Sequence, residues 1–129
     1  MKTLGPLRFA FGVAGAAALM LAAGPAFAHA KLLSEVPAAE DSTAAQPAPL
    51  TEIRLVFSET LNLAFSKVLV TDSTGKEVAL GAAALDPNDS KVLVVPLTAT
   101  LPAGEYKVDW TAVSDDGHKS TGTYVFKAQ

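Results

Sequence analysis

The chain has 129 residues, no cysteine and a formal net charge of −3. Without thiols it has neither a disulfide staple nor a thiolate metal site, which excludes the cysteine-ligated blue-copper type. An acidic chain with no basic patch is a poor nucleic-acid binder and mildly attracts cations.

In chain order, residues 1–28 have the grammar of a secretory leader. Lys2 and Arg8 supply a positive start, and Phe9 to Ala23 is apolar apart from glycines. Gly24-Pro25 breaks the run, and Ala26-Phe27-Ala28 is an A-x-A cleavage motif. The apolar run is shorter than the ~20 residues of a spanning helix, so removal is the better reading. No twin-arginine pair is present, which makes general secretion the simpler route. Cleavage after Ala28 would leave residues 29–129 as one exported domain. Losing Lys2 and Arg8 from the ten basic residues leaves eight against thirteen acidic ones, a charge of −5. A chain of about 100 residues can hold its fold by core packing alone.

The remainder shows short alternating runs between turn signals and no convincing helical period. Residues 38–49, rich in Ala, Pro and small polar residues, predict an ordered irregular connection. Glu52 to Phe57 predicts a strand with Ile53, Leu55 and Phe57 on one face. Lys67 to Thr71, the turn Asp72-Ser73-Thr74-Gly75, and Lys76 to Leu80 have the spacing of a hairpin. Lys91 to Val95 predicts a further strand between Asp86-Pro87-Asn88-Asp89 and Pro96. In Glu105 to Val113, Tyr106, Val108, Trp110 and Ala112 share one face, and Lys107, Asp109 and Thr111 the other. Gly122 to Lys127 predicts the last strand, after a polar loop from Ser114 to Thr121. The aromatics Trp110, Tyr106, Tyr124, Phe57, Phe65 and Phe126 read most simply as core. About seven short strands fit an all-β Greek-key sandwich or barrel, immunoglobulin-like or cupredoxin-like.

The chain has two histidines. His118 lies in Asp116-Gly117-His118, where an extended backbone points the two side chains the same way. Gly117 permits a bend that would let both reach one ion. Taken alone, the better reading is a solvated Asp-Gly turn. His29 alters the balance, because cleavage after Ala28 makes it the first residue. Its α-amine and ring Nδ1 would then chelate one metal, and His118 would add a third nitrogen. Tetragonal N/O sets of this kind favour Cu(II), although residue types alone also allow zinc. Glu59, after the predicted strand ending at Phe57, is a further candidate oxygen ligand or outer-shell acceptor; a surface carboxylate is nearly as good a reading. The two methionines, Met1 and Met20, both lie in the leader. The mature chain would therefore lack the soft ligands that Cu(I) prefers.

Several segments together resemble the periplasmic copper-resistance CopC family. They are His29-Ala30-Lys31-Leu32, Ser34-Glu35-Val36-Pro37-Ala38, Leu55-Val56-Phe57-Ser58-Glu59, the run from Leu101 to Trp110, Val113 to His118, and Gly122 to Phe126. The resemblance spans residues 29–129 and implies a Greek-key fold that binds Cu(II) through His29, Asp116 and His118. Glu59 joins that set in some members. It also implies a carrier or buffer in copper resistance and not an enzyme. The partners it implies are a CopD-like inner-membrane copper transporter and a multicopper oxidase, and the expected state is a monomer. Two alternatives differ in class: a copper enzyme resembling lytic polysaccharide monooxygenases, and a metal-free immunoglobulin-like module.

Overall fold

The computed structural model describes Gly5 and residues 29–129. The expected leader over residues 1–28 lies, apart from Gly5, outside the described residues. No helix among the described residues is long and apolar enough to cross a membrane.

Among the described residues, seven strands form two antiparallel sheets: β1 (Leu32–Val36), β2 (Glu52–Phe57), β3 (Lys67–Asp72), β4 (Ala84–Asp86), β5 (Asp89–Pro96), β6 (Gly104–Val113) and β7 (Lys119–Ala128). One sheet has the order β1-β2-β5-β4, the other β3-β6-β7. The alternation expected in β2 and β6 is present. Ile53, Leu55 and Phe57 point inward from one sheet, and Tyr106, Val108, Trp110 and Ala112 from the other. They meet Leu93, Val95, Val70 and Phe126 in one core. Phe57 and Trp110 cross between the sheets edge to face, centroids 5.1 Å apart at 70°. Opposite Trp110 in the β6–β7 ladder stands Gly122. A β-carbon there would fall 2.3 Å from Cζ2 of the indole, so the ring occupies the space any larger residue would need. Tyr106 closes the Pro102-Ala103-Gly104 turn by donating its hydroxyl to the Pro102 carbonyl at 2.8 Å.

The structure corrects the reading in several places. The Asp72–Gly75 turn forms, with Asp72 Oδ1 accepting from the amides of Thr74 and Lys76. The return leg from Lys76 to Leu80 is not a strand. It pairs with β3 around the Thr71–Glu77 bridge, where the Asp72 amide donates to the Lys76 carbonyl and the Val78 amide to the Val70 carbonyl, then pairs Leu80 with Leu97 beside the other sheet. This stretch carries the chain from one sheet to the other, which a hairpin leg cannot do. The unforeseen β4 follows and pairs with β5 across the Asp86–Asp89 turn. β1 is also unforeseen. A bulge between Leu32 and Ser34 breaks its alternation and leaves Leu33 64% exposed. Phe65 is not core. It sits on a 3-10 turn, Leu63–Phe65, and is 67% exposed. The loop expected from Ser114 to Thr121 ends by His118, because Lys119 to Thr121 already pair with Val113 to Thr111.

Candidate metal centre

Both histidines sit at one end of the sandwich. His29 precedes β1, the edge strand of the four-stranded sheet, and its neighbourhood is tightly tied. Ala30 is buried, and its carbonyl accepts from Ser120 Oγ at 2.6 Å. The Lys31 amide donates to Ser58 Oγ at 2.9 Å, and the Ser58 amide donates back to the Lys31 carbonyl at 2.9 Å. This last pair continues the β1–β2 register one step beyond Leu32 and Phe57.

His118 ends the tight turn that joins β6 to β7. The Ser114 amide donates to the His118 carbonyl at 3.0 Å, and the Gly117 amide to the Ser114 carbonyl at 2.8 Å. Gly117 has φ +85°, a conformation that costs residues with a β-carbon and not glycine. That bend brings Asp116 Oδ2 to 2.9 Å from His118 Nδ1. The other oxygen, Oδ1, accepts from the Ser114 hydroxyl and, at 3.3 Å, from the His118 amide. Ser114 is buried, and its hydroxyl also lies 3.2 Å from the His118 carbonyl. With one proton to give, it serves the carboxylate, the stronger acceptor. The Ser114 hydroxyl, then His118 through its ring and its amide, hold the Asp116 carboxyl down at about 2. A carboxylate beside Nδ1 favours the proton on that nitrogen and the lone pair on Nε2.

The rings of His29 and His118 approach to 5.5 Å between centroids, at 56°. Two residues far apart in the chain, flanking strands of different sheets, therefore meet. Asp116 joins them through His118. The backbone at Glu59 runs between the two halves. Ser58 is tied to Lys31, the Thr60 carbonyl accepts from the Asp115 amide at 3.0 Å, and Leu61 bridges Ser114. Among the described residues, however, no three His, Asp or Glu side chains converge closely enough to hold one ion. Both oxygens of Asp116 face donors of its own turn. The two rings and one carboxylate supply donors of the type that divalent copper or zinc accepts. Sequence reasoning assigned no part to Ser58, Ser114 or Ser120 in holding this site. Only Ser114, two residues before Asp116, had a local signal: a short hydroxyl placed to bond the turn that follows.

A cysteine-free sandwich of two small antiparallel sheets, with a histidine pair and a carboxylate gathered at one end, defines a small all-β domain that carries metal-donor side chains. The chain belongs to the CopC family, whose CopC domain matches residues 32–129. It is 44% identical over 118 residues to copper resistance protein C of Pseudomonas syringae pv. tomato, covering 88% of this chain and 90% of that protein. It is 28% identical over 100 residues to the copper transport protein CutJ of Bacillus subtilis, covering 78% of this chain and only 18% of that protein. Among solved structures it is similar to PcoC, described as a methionine-rich copper resistance protein from Escherichia coli, with a TM-score of 0.65 and 40% identity. That match covers 79% of this chain and all of the other.

Proposed function

We propose that this protein is a periplasmic Cu(II) carrier or buffer in copper resistance and homeostasis, not an enzyme. Copper is its cargo. The leader over residues 1–28 directs export, and its removal after Ala28 frees the α-amine of His29. The amine and ring Nδ1 of His29 chelate the ion. His118 adds Nε2, and Asp116 adds Oδ2 once that oxygen turns from His118 toward the ion. Glu59 serves as a further oxygen ligand or as an outer-shell acceptor. The protein acts as a monomer. It exchanges copper with a CopD-like inner-membrane transporter and a multicopper oxidase.

The observation that carries this reading is the approach of the His29 and His118 rings to 5.5 Å. An ion about 2 Å from one nitrogen of each ring fits between rings at that separation. Copper as the cargo is supported by the relatives named copper resistance protein C. The divalent state is supported by the ligand types, since both methionines fall within residues 1–28 and no cysteine exists. A transport partner is supported by CutJ, in which the matching stretch is a small part of a longer copper transport protein.

The test is a titration of the cleaved protein with Cu(II), followed by paramagnetic resonance. One-to-one binding with coupling to three nitrogens is expected. A variant with one residue added before His29 loses the amine–imidazole chelate. Its affinity should fall by at least the ~10–100-fold that loss of an outer-shell partner costs. Unchanged affinity in that variant would refute the site.

A further inference from the structure

We infer that Ser120 and Ser58 are positioning residues, forming a clamp that holds residues 30–31 so that His29 is presented to His118. This rests on the Cu(II) site proposed above and adds to it the parts that hold its terminal ligand in place.

Chain ends are usually poorly ordered unless something ties them down. A mature chain beginning at His29 would start one residue before a residue that is 1% exposed. The tie has two arms from two sheets. Ser58, just past β2, grips Lys31 by two hydrogen bonds of 2.9 Å, one to each side of the residue's backbone. This arm lengthens the β1–β2 ladder. Ser120, inside β7, reaches across to the other sheet and donates to the Ala30 carbonyl at 2.6 Å. That bond joins residues 90 apart in the chain and lies outside both sheet ladders.

The position of Ser120 gives the second arm its significance. It lies two residues after His118 and pairs with Ala112. A short path therefore runs from His29 through Ala30, across the hydrogen bond to Ser120, and back through Lys119 to His118. The separation of the two imidazoles is set by this path and not by two independent loops. A chelating terminus that is already ordered surrenders little further backbone freedom when the ion arrives, which is the general advantage of preorganisation. Without the clamp the same donors remain present, but His29 must be found and ordered at each binding event.

The experiment compares cleaved wild type, Ser120→Ala, Ser120→Thr and Ser58→Ala by competition titration with Cu(II) and by paramagnetic resonance. Both alanine variants should bind about 10–100-fold more weakly, the range for lost outer-shell support. Their nitrogen coupling should broaden or fall from three to two. Ser120→Thr keeps the hydroxyl and should recover most of the affinity. The same Ser120→Ala change is also made in the variant carrying one extra residue before His29. No chelate remains there to position, so no further loss is expected. Alanine variants with wild-type affinity and spectrum would overturn the clamp. So would an equal loss in the extended variant, because it would mark Ser120 as a general support of the fold. Failure of the wild type itself to bind Cu(II) would instead refute the metal site. Thus the two ideas fail by different results.

Discussion

Replacing Gly122 by alanine tests the packing beneath the candidate site. The added β-carbon would fall 2.3 Å from Cζ2, 2.6 Å from Cε2 and 2.8 Å from Nε1 of Trp110. Carbon atoms pack at about 3.5–4.0 Å, so the gap must open by more than about 1 Å. The backbone cannot supply it, because β6 and β7 are paired continuously from Gly104–Ala128 to Val113–Lys119. The indole must turn instead, and it leaves its edge-to-face contact with Phe57. Overpacking of this kind costs roughly 1–3 kcal/mol, and the aromatic pair adds about 0.5–1.5 kcal/mol. The stiffer chain of alanine returns only about 0.5–1 kcal/mol. The net loss is on the order of 1–3 kcal/mol. At about 4–8 °C per kcal/mol for a domain near 100 residues, the melting temperature should drop by roughly 5–25 °C. Trp110 is the sole tryptophan, so its emission and near-ultraviolet dichroism report the same event. A variant that melts within about 2 °C of wild type, with an unaltered tryptophan spectrum, would refute the reasoning.

Two further outcomes are expected. The Asp116 carboxyl, held down at about 2, should stay ionised through mild acid. Its folded value lies below the ordinary one, so its contribution to stability is complete above about pH 4 and is lost as pH falls toward 2. Ser114→Ala removes the largest cause and should raise the midpoint read by carbon-detected magnetic resonance; an unmoved midpoint would exclude Ser114 as that cause. Cu(II) at about 100 times its dissociation constant should stabilise the cleaved protein by roughly 2.7 kcal/mol, or about 10–20 °C in melting temperature, reversibly with chelator. No shift at that concentration would contradict binding to the folded state.

The elements legible in the sequence are those whose two faces meet different surroundings. β2 and β6 alternate cleanly because one face meets the core and the other meets water. β1 was hidden because its bulge breaks the period, and β4 because three residues carry no period at all. The Asp72–Gly75 turn chemistry was readable, but nothing in Lys76–Leu80 indicates that it leaves its sheet for Leu97. Phe65 was misplaced because hydrophobicity alone does not distinguish a buried aromatic from one left out on a turn. At the site, the i, i+2 spacing around Gly117 foretold the contact of Asp116 with His118. The meeting of His29 and His118 is not readable from local pattern; it is expected from the chelating chemistry of a terminal histidine together with the D-x-H pair, and from the family resemblance. The Ser120–Ala30 bond could not be foreseen, because it joins positions 90 residues apart that share no periodic signal.

The two histidines flank strands of different sheets, one before β1 and one between β6 and β7. An ion seated between them would add a further tie between the sheets at the end that Ser120 and Ala30 already join. It would do so in a chain with no disulfide to serve that purpose. Loaded and empty protein would then differ in how often that end unzips. Proteases that cut transiently opened chains read this difference directly. Copper supply would thus bear on the lifetime of the protein as well as on its occupancy. Idle copies would be cleared first when the metal is scarce.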